Sequence, residues 1–268
     1  MRRLIVSPLF LVFLLFACVS KTPPRVALSE NDQQKILEPV KRYIQSLQSI
    51  KSVKAYAKVR LKIRGQKLNF DEMIKIQFPF PFYFETLDDL ANTRFQLVSN
   101  GSSLFWQDFN RKEYWEGELN EKNIRKFLPL ASNLEETLGL FVGKIPLLNL
   151  QEAKVFEGNQ ASQYVIRIPR GEIVWDSSQN VIVRLALKPE GANLAFEYEG
   201  GHFHSQTLYP TKETDVYVPS HVKLKDLKTK NEIEINYQDS TLGIGAVLVP
   251  MTIRFNPLPD AKRLNALP

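Results

Sequence analysis

The sequence has few of the residues and motifs on which most catalytic sites depend. Among 268 residues there are one cysteine and three histidines, so an internal disulfide is impossible and Cys/His metal sites have few candidate ligands. The chain lacks the Gly-x-Ser-x-Gly motif of serine hydrolases, the P-loop and the Gly-x-Gly-x-x-Gly motif of dinucleotide-binding domains. We therefore expect that the protein is not an enzyme.

Two histidines and two acidic pairs are the remaining candidates for chemistry. His202 and His204 are two residues apart and would share one side of a strand, but no further His–Glu pattern completes a zinc site. We interpret them as exposed polar residues beside a turn at Gly200-Gly201. The side chains of Asp88-Asp89 and of Glu135-Glu136 are neighbours in sequence and tend to point apart. The sequence thus predicts no metal ligand and no catalytic residue.

Charge and hydropathy exclude two further classes of protein. The net charge is +6, but the basic residues are not clustered with aromatic residues that stack on bases, so we expect no nucleic-acid partner. Beyond the N-terminus, no apolar run reaches the roughly 20 residues that a membrane-spanning helix needs. Hydrophobic residues make up 44% of the chain and charged residues 24%, which is typical of a globular protein with a buried core.

The one long apolar run lies at the N-terminus and ends at the single cysteine. A basic start, Met1-Arg2-Arg3, precedes an apolar stretch that closes with Leu15-Phe16-Ala17-Cys18 and resembles a lipobox. We predict a signal peptide over residues 1–17, followed by covalent diacylglycerol and N-acyl (palmitate) chains on Cys18 and no other cofactor. The alternative is an ordinary cleaved signal with an incidental cysteine. Val19 follows the cysteine where Asp signals inner-membrane retention in some bacteria, which favours the outer membrane.

The rest of the chain reads as a lipidated tether over residues 18–30, a single domain over 31–256 and a C-terminal tail over 257–268. An apolar stripe after Asn31 predicts a helix that Pro39 should bend or divide. About eleven alternating segments predict strands, and Glu121–Phe127 and Leu134–Val142 predict two more helices. The fold class is mainly β with helices (α+β): an open, incomplete antiparallel β-barrel whose concave side is plugged by helices.

The inner face of such a barrel is apolar, and it can be covered in two ways. The helices either fill it completely as an ordinary core or cap it loosely and leave a cavity for a lipid. If a cavity forms, we expect its acyl-chain lining to be Val59, Leu61, Ile74, Ile76, Phe82, Phe84, Phe95, Leu97, Trp106, Leu138 and Phe141. Periodicity alone slightly favours the ordinary core, because apolar stripes usually belong to a core.

Several short motifs occur in an order that is found in one known family. They are Thr86-Leu87-Asp88-Asp89-Leu90-Ala91-Asn92, Phe95–Gly101, Leu128-Pro129-Leu130, Leu138–Pro146, Tyr198-Glu199-Gly200-Gly201 and Val218–Leu224. Their order over residues 50–240 resembles the LolB-like outer-membrane lipoprotein receptors of the LolA/LolB lipoprotein-localisation superfamily.

The resemblance implies a function in protein transport without chemistry. A receptor of this kind is a monomer, anchored in the outer membrane and facing the periplasm. It takes the acyl chains of lipoproteins from a periplasmic LolA-like carrier into a hydrophobic cavity and delivers them to outer-membrane lipid, as a chaperone would. By position, Leu90 corresponds to the residue of the family's membrane-insertion loop.

Two other functions remain open. The same fold can carry another lipid, such as a phospholipid or glycolipid, or the barrel can be fully packed in a non-catalytic structural envelope lipoprotein. The basic residues Lys58, Arg60 and Lys62 either meet an acidic carrier or form a solvated strand face.

Overall fold

A computed structural model describes residues 26–78, 80–128, 134–188, 196–209, 215–238, 241–245 and 255–265. The predicted signal peptide, Cys18 and most of the predicted tether lie outside the described residues, as do Pro129 and Leu130 of the family motif. No described helix has both the length and the apolar character that crossing a membrane requires.

The first element is the helix α1 (Glu30–Leu47). Ser29 caps its N-terminus, where the Oγ atom accepts a hydrogen bond from the backbone N–H of Asp32 at 3.3 Å. The helix contains Pro39 and is not divided there, so of the two expected effects of this proline, bending or division, division does not occur. Four residues after the proline are buried, and their packing compensates for the missing backbone hydrogen bond: Val40, Tyr43, Ile44 and Leu47.

The remaining elements are strands with two further helices. The strands before the helices are β1 (Ser52–Ile63), β2 (Gln66–Gln77), β3 (Phe82–Leu87), β4 (Thr93–Ser99), β5 (Ser103–Asp108) and β6 (Glu113–Glu118). The helices α2 (Glu121–Ile124) and α3 (Leu134–Phe141) follow. The later strands are β7 (Lys154–Glu157), β8 (Gln163–Ile168), β9 (Gly171–Asp176), β10 (Val181–Leu187), β11 (Phe196–Thr207), β12 (Asp215–Asp226), β13 (Glu232–Tyr237), β14 (Gly243–Gly245) and β15 (Lys262–Arg263).

All of these strands belong to one sheet that does not close on itself. The order is β15-β6-β5-β4-β3-β2-β1-β13-β12-β11-β10-β9-β8-β7, with β14 paired to the start of β1. Neighbours are antiparallel except β15, which runs parallel to β6. The prediction of an open antiparallel sheet with helices on it is therefore confirmed. The described residues contain more strands than the eleven predicted, because the short strands β6, β7, β14 and β15 carry no clear alternation.

Alternation decides which face of the sheet is inside. In β1, residues Val53, Ala55, Ala57 and Val59 are buried, and the basic residues between them are exposed. On the outer face, Arg60 pairs with Glu234 of β13 at 3.1 Å and Lys62 with Glu232 at 3.4 Å. Strand β13 lies directly beside β1. Of the three basic residues Lys58, Arg60 and Lys62, the last two therefore have acidic partners on the neighbouring strand.

Helices cover the inner face unequally. Helix α1 packs over β7–β10, where the ring of Tyr43 meets Trp175 edge-on at 5.7 Å. Helix α3 sits at the centre of the sheet, where the ring of Phe141 lies 6.2 Å from Phe84. The hydroxyl of Tyr237 on β13 donates a hydrogen bond to the Phe141 carbonyl at 2.9 Å. The 18 residues of α1 thus fill one half of the concavity, and the described residues over the other half are the four residues of α2 with Phe127 and Leu128 after them.

The C-terminal residues are part of the same domain. Phe255 stacks on Phe105 of β5 at 4.8 Å, and Lys112 forms an ion pair with Asp260. The N–H of Leu264 donates to the Tyr114 carbonyl at 2.8 Å beside β15. The segment that the sequence analysis separates as a tail therefore supplies an edge strand and covers the outer face of β5 and β6.

Candidate functional site

A cavity of about 820 Å³ lies in the half of the concave face that α1 does not cover. Its walls are strands β1–β5 and the nearest inner residues of β13, and Phe127, Leu128 and Phe141 lie over it. Its size and apolar walls match those of sites for small molecules, which commonly have 300–1,000 Å³.

The cavity opens at the end of the sheet where β1 turns into β2. Along β2 the residues that face inwards become steadily more buried, from Leu68, which is 52% exposed, through the half-buried Phe70 to Ile74, which is 2% exposed. The loop between β3 and β4 borders the same opening, since Asp88 and Asp89 also line the cavity. We call this opening the mouth of the cavity, and the burial of the lining residues of β2 increases from it toward Ile74.

Aromatic rings form the wall opposite β1. Phe95 of β4 stacks on Trp106 of β5 with ring centroids 6.4 Å apart, and Phe127 lies 6.2 Å from Trp106. At the inner end, Phe84 and Phe141 approach each other and close the space. These rings give this wall of the cavity a wide apolar surface, and the lining elsewhere includes charged residues such as Asp71, Asp88 and Arg94.

Of the eleven residues that the sequence suggests as a lining, eight lie along this cavity: Val59, Leu61, Ile74, Phe84, Phe95, Leu97, Trp106 and Phe141. The other three do not line it. Ile76, Phe82 and Leu138 lie deeper, at the closed end, and are at most 1% exposed. They face inwards as expected, but the packing of α3 on this part of the sheet leaves no space around them.

One carboxyl group interrupts the apolar wall. Glu72 of β2 lines the cavity between Phe70 and Ile74 and is 8% exposed. The hydroxyl of Thr86 on the neighbouring strand donates a hydrogen bond to Glu72 Oε2 at 2.9 Å. Burial raises the pKa of Glu72 to about 8, and the nearby negative charge of Glu85 acts in the same direction.

Glu72 is not among the predicted lining residues, although the sequence pattern of β2 indicates it. The inward positions of β2 read Leu68, Phe70, Glu72, Ile74 and Ile76, so a single acidic residue replaces an apolar one in the middle of the pattern. A charged side chain on the buried face of a strand is costly unless it is paired or neutral.

Leu90 projects from the loop at the mouth and is 83% exposed. The carboxylate of Asp88 holds this loop by accepting backbone N–H bonds from Leu90 at 2.9 Å and from Asn92 at 2.8 Å. These bonds lower the pKa of Asp88 below its ordinary value, and the bond from the Asn92 backbone contributes most to the shift. Ala91 takes a positive φ of 61°, which completes the tight turn. The exposed leucine is thus presented by a hydrogen-bonded turn beside the cavity.

The other candidate residues form no site. Among the described residues, no group of three or more His, Cys, Asp or Glu side chains is arranged to hold a metal. Gly200 and Gly201 do not make the expected turn but lie inside β11, where His202 takes a positive φ of 52°. Strand β11 continues past His202 with an unchanged register, because β12 pairs with it on both sides.

No protein-family model and no curated protein matches this chain. Among solved structures, it is similar to a DUF1329 family protein from Desulfovibrio piger, with 8% identity, a TM-score of 0.44 and coverage of 81% of this chain and 94% of that one. It is also similar to a putative outer membrane lipoprotein-sorting protein domain from Vibrio parahaemolyticus, with 12% identity, a TM-score of 0.44 and coverage of 80% and 93%.

A third similar structure is a LolA superfamily protein from Nitrosomonas europaea, with 10% identity, a TM-score of 0.42 and coverage of 81% and 94%. The superfamily to which this third structure belongs is also the one that the order of sequence motifs resembles. Likeness at this level adds nothing about function, and the proposals below rest on the cavity.

Proposed function

We propose that this protein binds acyl chains in the cavity between β1 and β5 and hands them on without chemical change. In the cell it acts as a lipid-anchored outer-membrane receptor that accepts acylated lipoproteins from a periplasmic LolA-like carrier and delivers them to the outer membrane. The observation that carries the proposal is a cavity of about 820 Å³ with aliphatic and aromatic walls, beside whose mouth Leu90 is exposed.

The size of the cavity suits an acyl chain. If each heavy atom takes about 30 Å³, the share of one water molecule in the liquid, the cavity holds roughly 27 heavy atoms. That is more than one sixteen-carbon chain. Its walls offer such a chain mainly apolar and aromatic contacts, as the sites of apolar ligands do.

Transfer through such a cavity requires direct contact between carrier and receptor. At roughly 0.8 kcal/mol per methylene, exposing a sixteen-carbon chain to water costs up to about 12 kcal/mol. Release of the free chain into water is therefore too costly, and the mouths of two cavities have to meet. The chain then moves toward the site that binds it more tightly, and no nucleotide or metal is needed.

Leu90 is the residue that we place in the final step. It is the most exposed leucine at the mouth, and its hydrogen-bonded turn lets it touch a membrane while the cavity stays open beside it. A leucine loses nothing on entering the apolar edge of a bilayer, whereas a charge at that position is expensive. The acyl chains predicted on Cys18 would hold the whole domain near the same membrane.

The proposal is tested by native mass spectrometry on residues 26–268 with a triacylated lipopeptide. These residues contain every described helix and strand and their common core. We expect a one-to-one complex that free fatty acid displaces. Val59→Trp, which fills the cavity from β1, should abolish it, whereas Tyr56→Trp on the outer face of the same strand should not.

A folded protein that binds no acylated ligand would contradict the proposal and favour the structural alternative. Binding of phospholipid with no binding of lipopeptide would favour the carrier of another lipid. The observation that supports this second candidate is the same cavity, because its apolar walls make no contact specific to a protein-linked chain.

A further inference from the structure

Glu72 is the one feature of the cavity that an acyl-chain site does not need. It lies on the inward face of β2, with Phe70 nearer the mouth and Ile74 nearer the closed end. At about 3.3 Å per residue, its position is roughly 13 Å inside that of Leu68 at the mouth. A polar group at this depth meets the bound ligand itself and not the solvent outside.

Only one of the two carboxyl oxygens of Glu72 accepts a hydrogen bond from a described residue. The Thr86 hydroxyl donates to Oε2 at 2.9 Å, and no other described residue forms a hydrogen bond or ion pair with Glu72. The unpaired oxygen belongs to a side chain that borders the cavity. Buried polar groups are nearly always hydrogen-bonded, so a group with one free position beside a ligand cavity is suited to bind the ligand.

The surroundings favour the neutral carboxylic acid. Burial raises the pKa of Glu72 to about 8, and the nearest charge that acts on it is the negative Glu85. The other ionisable residues along the cavity are Lys58, Arg60, Asp71, Asp88, Asp89 and Arg94, and none of them forms an ion pair with Glu72. At neutral pH the group is therefore mostly protonated, and it offers an O–H donor while Thr86 donates to its other oxygen.

We propose that Glu72 recognises the carbonyl oxygen of the bound acyl group by donating a hydrogen bond to it inside the cavity. The inference rests on the proposed function, since it assumes that the cavity takes acyl chains. It adds that the chain enters until its ester, amide or carboxylic acid carbonyl has passed the mouth. A plain hydrocarbon displaces water from Glu72 and leaves the donor unpaired, so the site disfavours it.

The test compares two ligands of equal chain length, dodecane and methyl dodecanoate, as competitors of a fluorescent dye bound to residues 26–268. The preference for the ester is the ratio of the dissociation constants of dodecane and methyl dodecanoate. We expect this ratio to be about tenfold larger in the wild-type protein than in Glu72→Leu, because one hydrogen bond usually contributes about this much. Glu72→Gln keeps an N–H donor of nearly the same shape and should retain most of the preference. Circular dichroism confirms that the variants are folded.

A second readout separates recognition from mere packing. Above about pH 8 the ionised Glu72 has no proton to donate, so the preference of the wild-type protein for the ester should decline there. The preference of Glu72→Gln should stay constant over the same range, because its amide does not ionise. A side chain that only fills space would give no such difference between the two proteins.

The possible outcomes also separate this inference from the proposed function. If both ligands bind equally well to the wild-type protein, Glu72→Gln and Glu72→Leu, the inference is wrong although the cavity binds chains. If neither ligand binds the wild-type protein, the proposed function fails first.

The carbonyl has two possible sources, which are compared with a triacylated lipopeptide and with monopalmitoylglycerol. Weaker binding of the lipopeptide alone to Glu72→Leu assigns the carbonyl to a lipoprotein, and weaker binding of the glycerol ester alone assigns it to a membrane lipid. Unchanged binding of both ligands overturns the inference.

Discussion

The two halves of the concave face are built from similar strands but are covered very differently. Over β7–β10, the long helix α1 buries the inward side chains almost completely, and Trp175 is 1% exposed. Over β1–β5, some inward residues near the mouth of the cavity stay accessible, as Leu68 and the half-buried Phe95 illustrate. The strands on both sides alternate in the same manner, so the pattern of the sheet alone does not decide which half is filled.

Helix length accounts for the difference. At 1.5 Å per residue, α1 spans about 27 Å, which is enough to cross several strands of a sheet. The four residues of α2 span about 6 Å and touch the sheet mainly through the aromatic ring of Phe127, just after the helix. We conclude that the filled half stabilises the fold, which allows the open half to be shaped for binding.

The largest expected effect concerns the filled half. Trp175→Ala removes a ring that contacts Tyr43 and leaves a void that α1 cannot close, so the free energy of unfolding should fall by about 3–5 kcal/mol. The matched change in the open half, Leu61→Ala at the half-buried end of β1, should cost less than about 1.5 kcal/mol. Urea denaturation measures both values. Equal losses would mean that the two halves are equally packed and would refute the comparison.

A pH-dependent effect is expected in the open half. The pKa of Glu72 is about 8 in the folded protein and about 4.5 in the unfolded chain, so the folded state binds the proton more tightly. Its destabilising effect is therefore absent below pH 4.5, grows as the pH rises and is complete above pH 8. Relative to the wild type, Glu72→Gln should be about 4 kcal/mol more stable at pH 8 and about equally stable at pH 4.

The control for this experiment is Glu85→Gln on the outer face of β3, where Tyr83 and Thr93 donate hydrogen bonds to the carboxylate. In this variant the pH dependence caused by Glu72 should persist, because the burial of Glu72, its largest cause, is unchanged. If the difference in the free energy of unfolding between Glu72→Gln and the wild type stays constant from pH 4 to pH 8, water reaches Glu72 in the cavity and burial does not raise its pKa.

A ligand should stabilise the folded protein only by binding in the cavity over β1–β5. A bound acyl chain at one hundred times its dissociation constant adds about 2.7 kcal/mol to the free energy of unfolding. We expect this gain in the wild-type protein and in Tyr56→Trp, but not in Val59→Trp, in which the cavity is filled. Thermal unfolding with and without a lipopeptide measures it. A gain that persists in Val59→Trp would place the ligand elsewhere on the protein.

The sequence predicts the sheet well where alternation is long and regular. Strand β1 alternates over its whole length, and its predicted inward residues Val59 and Leu61 face the concave side. Strand β7 has four residues and β15 has two, which is too short for a period to be recognised. The continuation of β11 through Gly200 and Gly201 is missed for another reason, since paired glycines also signal a turn.

The candidate site is less predictable than the fold, because a cavity depends on what is not packed against the sheet. Ile76 and Ile74 carry the same side chain on the same face of β2, yet only Ile74 borders the cavity, because the cavity ends between them. That boundary is set by the position of α3, which is distant in sequence. Glu72, by contrast, interrupts an apolar pattern within its own strand, so the sequence alone is sufficient to identify it as a candidate site residue.

The smallest effect on stability, and the sharpest on function, is expected at Leu90. Because this side chain is almost fully exposed, Leu90→Glu should change the free energy of unfolding by less than about 0.5 kcal/mol and leave ligand binding intact. Delivery of a bound lipopeptide to liposomes should nevertheless be lost, since a charge at the tip of the loop resists entry into the bilayer. The matched control is Asp89→Asn in the same loop, which removes a charge and should preserve delivery. Unchanged delivery by Leu90→Glu would remove the loop from the mechanism and leave the cavity mouth itself as the point of contact with the membrane.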